Sequence, residues 1–68
     1  MKKKAYIKQI DEDEISKFPL SAQALYFHLL LNKTENNIVA NPYEILVKIG
    51  ASENDLRWLD WVGVITLV

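Results

Sequence analysis

Cysteine is absent from the chain and histidine occurs once. Disulfides, thiolate metal ligands and a histidine-built zinc site are therefore excluded, since each needs several such side chains. Glycine and proline are scarce, two of each, so a Gly-rich phosphate loop has nothing to be built from, and each of the four residues marks one defined place in the backbone. An excess of one charge sign is missing too. Eight Lys and Arg against nine Asp and Glu leave a net charge of −1, unlike the strongly basic balance usual in nucleic-acid binders. No apolar run approaches the ~20 residues of a membrane span. Met-Lys-Lys-Lys opens the chain like the basic start of a signal peptide, but Ala5 to Glu14 supplies no apolar core behind it, so the expected location is the cytoplasm and no membrane contact is expected.

What is present is 68 residues, half of them hydrophobic. That is one domain, near the size at which folding buries only about 60% of the unfolded surface. Stability is expected to be marginal and to come from packing, within the chain or against a partner. Residues 1–14 read as a charged, partly ordered segment with a basic tip at Lys2, Lys3 and Lys4 and an acidic block at Asp11-Glu-Asp-Glu14, and residues 15–68 read as the domain. Between the two charge runs, Tyr6, Ile7 and Ile10 suggest a short extended piece.

The run Ser21 to Leu31 is the one stretch apolar enough to be a central helix. Ser21 is expected to cap it and Leu20 to staple onto Leu25. At about 100° per residue, Ala22, Leu25, Tyr26, Leu29 and Leu30 share a broad core-facing side, while Ala24, Phe27 and Leu31 fall on the opposite side. Ile15 to Phe18 reads as one helical turn closed by Pro19, with Phe18 against the central helix. After it, Asn32 to Asn37 reads as a turn and Ile38 to Ala40 as a short strand. Asn41-Pro42 then opens a helix, with Asn41 as cap, Glu44 completing a capping-box-like pattern and Ile45, Leu46 and Ile49 buried.

Gly50 ends that helix and Ser52-Glu-Asn-Asp55 opens the next, which is a helix-turn-helix signature. On this third helix Leu56, Leu59 and Val62 should face the core, leaving Glu53, Asn54, Arg57 and Trp61 outside with Trp58 beside them. Gly63 ends it, and Val64 to Val68 has the β-branched content of a strand, expected to pair with Ile38–Ala40, with Tyr6–Ile10 or with another chain. The expected fold class is mainly α with a small β-sheet: a winged-helix or helix-turn-helix-like domain whose second wing strand is missing.

Pro-Leu-Ser-Ala-Gln-Ala-Leu-Tyr-Phe-His-Leu (19–29), Val-Ala-Asn-Pro (39–42) and Ile-Gly-Ala-Ser-Glu-Asn-Asp-Leu (49–56) together resemble the N-terminal winged-helix domain of phage replisome-organiser proteins, replication initiators related to the DnaD-like primosomal proteins. The resemblance covers roughly residues 15 to 65. It implies a module for phage or prophage DNA replication in a bacterial host, usually followed by further domains, so that this chain would correspond to part of a longer protein or to a degenerate prophage product. Family members often carry several basic residues in the helix after Asn-Pro, where this chain has only Lys48, and they often read Lys-Gly-Phe where this chain has Val62-Gly63-Val64.

His28 and Tyr26 have no Ser, Cys or carboxylate spaced to make the histidine a base, so a structural histidine is the better reading and no catalytic residues, metal or cofactor are expected. In DNA-binding members of this architecture the third helix meets base edges, and here Asn54 and Arg57 can read bases. Glu53 and Asp60 would be pushed toward phosphates, and Glu53 and Asp55 are better explained as first-turn acids that complement the helix dipole. Candidate DNA contacts are Lys2, Lys3, Lys4, Lys48, Asn54 and Arg57, giving weak, non-specific binding. Candidate interface residues are Phe27, Leu31 and Trp61, the partner being a second copy or a replication protein. Trp58 is expected in the core.

Overall fold

The computed structural model describes residues 4–68. Its elements in order are β1 (Ala5–Ile7), α1 (Glu12–Ile15), α2 (Leu20–Leu31), β2 (Ile38–Val39), α3 (Pro42–Ile49), α4 (Glu53–Val62) and β3 (Ile65–Leu67). The molecule is mainly helical, with a helix-turn-helix at α3–α4 and one three-stranded antiparallel sheet of order β2-β1-β3. β1 thus takes the middle position. Ala5 stands opposite Val39 on one side and Leu67 on the other, so of the pairings open to the C-terminal strand the one with the Tyr6 segment is formed. Ala5 and Ile7 share one core with Leu25, Tyr26, Leu29, Leu56, Leu59 and Ile65. Residues 5–7, placed by sequence in the segment outside the domain, are therefore part of its sheet.

Local chemistry explains most helix ends. Asp11 accepts from the Glu14 amide at 2.9 Å and begins α1 three residues earlier than the Ile15–Phe18 turn expected from sequence, with Glu12, Asp13 and Glu14 complementing the dipole. The Gln23 side chain donates to the carbonyl of Phe18 at 2.8 Å, satisfying an acceptor left at the end of that turn. Asn37 has φ 61°, the left-handed conformation expected of the Asn-rich turn. Gly50 and Gly63 close α3 and α4 at φ 76° and 89°, where a side chain would be strained.

Four expectations are corrected. The N-cap of α2 is Pro19, so Ser21 lies inside the helix, makes no cap and turns its hydroxyl elsewhere, while Leu20 is 82% exposed and staples nothing. Asn41 precedes α3 but makes no side-chain cap bond, because its ψ of 63° differs by about 100° from the extended ψ of the working caps Asp11 and Ser52. Val62 is half-exposed and not in the core, since it lies about 90° around α4 from the midline of Leu56 and Leu59 at about 100° per residue.

Tyr26 is fully buried at the centre of the packing. Its hydroxyl donates to the Lys8 carbonyl just beyond β1, and Phe18 meets its ring edge-on at 6.1 Å between centroids. Phe18 in turn contacts Trp58 at 4.9 Å, which places Trp58 against the core as expected.

A middle strand tolerates proline poorly, because ladder bonds are lost on a strand with neighbours on both sides. Lys4 and Val68 exchange both backbone bonds at 3.2 and 2.9 Å, so alternation makes Tyr6 and Thr66 the next mutually bonded pair. The Tyr6 side chain is exposed. Tyr6→Pro is therefore expected to cost about 1–3 kcal/mol through the backbone alone, whereas Tyr6→Thr should cost well under 1 kcal/mol. Denaturant unfolding of the two variants checks this.

Candidate interaction surface on the helix-turn-helix

The α3–α4 pair is built from complementary local signals. Pro42, at the first position of α3, is fully buried, and Ile45 and Leu46 face the core. At the other end the Gly50 and Ala51 amides return to the carbonyls of Val47 and Leu46 at 3.2 and 3.0 Å, so the chain reverses without leaving those acceptors open. Ser52 and Asp55 then form a reciprocal capping box: the Ser52 hydroxyl accepts from the Asp55 amide at 3.3 Å and an Asp55 oxygen accepts from the Ser52 amide at 3.0 Å.

The other Asp55 oxygen accepts from the Ser21 hydroxyl at 2.6 Å. That bond ties the start of α4 to the first turn of α2, a link across 34 positions of sequence. The Ser21 hydrogen bond, joined by those from Ser52, holds the Asp55 carboxyl below the usual carboxylate range against the smaller opposing effect of burial. Ser21 thus orients α4, a role its sequence neighbourhood gives no sign of. Burial raises the Tyr26 phenol above its ordinary value, so it stays a neutral donor.

The outer face of α4 carries Asn54, Arg57 and Trp61, all exposed, with Trp61 at 81%. At about 100° per residue the three lie within about 60° of one another, so the structure does bring them together. Arg57 is not free of partners, since its Nη2 lies 3.2 Å from Glu53 Oε2, one turn earlier. This is the one ion pair among the described residues, and an exposed i,i+4 pair is worth only about 0.3–0.5 kcal/mol. A stronger anion could take the guanidinium from it at little cost. Asp60 is only partly exposed.

The remaining candidates are spread out. Lys48 is exposed on α3, beside a groove of about 190 Å³ that it lines with Asn32, Asn41 and Glu44. Lys4 is exposed immediately before β1, and Lys2 and Lys3 lie outside the described residues. Phe27 and Leu31, 45% and 80% exposed, sit on α2 and not on the helix-turn-helix face. His28 is exposed on α2 and is not a core residue. Among the described residues no three His, Cys, Asp or Glu side chains gather to hold a metal ion, and no buried polar side-chain atom lacks a hydrogen-bond partner. No described helix is long and apolar enough to cross a membrane.

Because the folded Asp55 carboxyl titrates below its unfolded value, its contribution to stability is present above the unfolded pKa, near 4, and is lost as pH falls through the lower folded value. Ser21→Ala removes one bond to a carboxylate and Asp55→Ala removes that bond and the cap, with expected losses of about 0.5–1.5 and about 1–2 kcal/mol at neutral pH. Denaturant midpoints measured between neutral pH and pH 3 should show the Asp55→Ala penalty shrinking as pH falls; a constant penalty would mean that the carboxylate form is not what holds α4.

Comparison with family models, with curated proteins and with solved structures gives no match for this chain.

Proposed function

We propose that the chain is a non-enzymatic DNA-binding or assembly module, of the replisome-organiser type to which its motifs show a resemblance, acting in phage or prophage DNA replication in the bacterial cytoplasm. The observation that carries this reading is the solvent-facing side of α4. Asn54 can pair with adenine and Arg57 with guanine or phosphate, the exposed Trp61 adds a flat apolar surface, and the capping box with Ser21 supports the helix that bears them. Glu53 weakens the contact by occupying Arg57 and by repelling phosphates, as does Asp60.

Binding is therefore weak and carried by phosphates. Roughly three to five contacts from Lys2–Lys4, Lys48 and Arg57 give a slope of log affinity against log salt of about −3 to −4.5, with dissociation constants of about 10⁻⁴–10⁻⁶ M. A second reading, a protein-interaction module that meets a second copy or a replication protein and no DNA, is favoured by the exposed Phe27, Leu31 and Trp61.

Duplex titration at two salt concentrations tests the first reading. The expected outcome is micromolar or weaker affinity with that slope, tightened severalfold by Glu53→Gln, which frees Arg57, and weakened by Arg57→Ala. Nanomolar affinity at physiological salt would contradict the weak-binder reading, and no binding at low salt would leave the interaction module.

A further inference from the structure

The outer side of α2 carries a surface that the helix-turn-helix does not use. Leu20, Ala24, Phe27 and Leu31 are all exposed there, the two leucines at 82% and 80%. Their spacing of four, three and four residues draws one straight apolar stripe along the helix, the pattern by which helices pack side by side. Next to the stripe runs a groove of about 390 Å³ between α1 and α2, lined by Ile10, Ile15, Phe27 and Leu30 with Glu12, Ser16 and Gln23 among them. A ridge beside a hollow is what a two-fold contact requires, because the same patch must supply both halves.

The stripe is also its own complement when reversed. Positions 20 and 31, and positions 24 and 27, are symmetric about one midpoint. A second copy laid antiparallel sets Leu20 against Leu31 of the second copy and Ala24 against Phe27 of the second copy, so that the small side chain receives the large one. Laid parallel, Phe27 would meet Phe27 and Ala24 would meet Ala24, leaving one layer overfilled and the next empty. We propose that the chain forms a two-fold dimer through α2 in the antiparallel register.

The extent of the surface fits a dimer in exchange with monomer. Twelve helical residues span about 18 Å at about 1.5 Å each. With the adjoining groove the patch is on the order of 500 Å² per copy, about a tenth of the chain's 4639 Å², and the resulting ~1,000 Å² in total is the lower limit for a specific interface. A net charge of −1 opposes association little. An interface at that limit belongs to the weak, exchanging class. The dimer deepens the second reading above and does not depend on DNA contact: failure of the duplex titration leaves it standing, and a monomer leaves the DNA reading standing.

Since the chain has no cysteine, introduced thiols report the register directly. The test is mild oxidation of Leu20→Cys/Leu31→Cys and of Leu20→Cys alone, together with sedimentation of the unmutated chain and of Leu31→Asp, with circular dichroism checking that this exposed substitution leaves the fold intact. The doubly substituted chain should form covalent dimers. Leu20→Cys alone should not, because the antiparallel register sets the two copies of residue 20 about 16 Å apart, beyond disulfide reach. Leu31→Asp should raise the dissociation constant at least about tenfold. A monomer of the unmutated chain at millimolar concentration would overturn the dimer, and cross-linking of Leu20→Cys alone as fast as the double variant would overturn its register.

Discussion

Everything in this small molecule depends on what fills the middle of its sheet. Three strands of two or three residues cannot hold together unless the central one is bonded on both sides and packed beneath, and the central one is β1, drawn from a segment with opposite charges at its two ends. Tyr26 secures it: its ring is fully buried in the core that Ala5 and Ile7 share, and its hydroxyl donates to the Lys8 carbonyl just beyond β1. With β1 in place, β2 and β3 each have a partner, and Ala5, Ile7, Val39 and Ile65 of the strands join the core of the helices. The middle of the sheet is thus filled from the N-terminal side of the chain and its edges from strands far along it.

A second constraint acts through Asp55. One carboxylate caps α4 and accepts from Ser21 on α2, so the outer helix of the helix-turn-helix is held at its start by a hydrogen-bond network and along its length by Leu56, Leu59 and Trp58. The outward side chains of α4 are therefore presented from a fixed helix, and the outward side chains of α2 from the most deeply buried one. The two faces use different residues and can act separately.

Signals confined to a few neighbouring residues were legible in the sequence. Gly50, Gly63, Asn37 and the Ser52–Asp55 box each adopt the conformation that their chemistry favours, and the buried side of α2 at Ala22, Leu25, Tyr26 and Leu29 follows from periodicity. What was not legible depends on residues far apart in sequence. Ser21 looks like a cap until Asp55 is brought beside it, and the extended piece expected around Tyr6 and Ile7 is too short for its alternation to mark it as the middle strand before Val39 and Leu67 flank it. Leu20 belongs here for a related reason: a staple onto Leu25 needs Ser21 as the cap, and the cap is Pro19, two residues sooner. Of the candidate surface, the outward placement of Asn54, Arg57 and Trp61 was readable from spacing, whereas the Glu53 partner of Arg57 and the complementary stripe on α2 emerge only with the helix boundaries fixed.

The central claim is that the chain works through two separate faces, α4 toward nucleic acid and α2 toward a second copy. Backbone amide shifts followed first on dilution and then on addition of a short duplex at low salt test it in one series of spectra. Dilution should move residues of 20–31 and the adjoining α1, and duplex should move residues of 53–61 and Lys48. Dilution shifts centred on α4, or duplex shifts centred on α2, would contradict it.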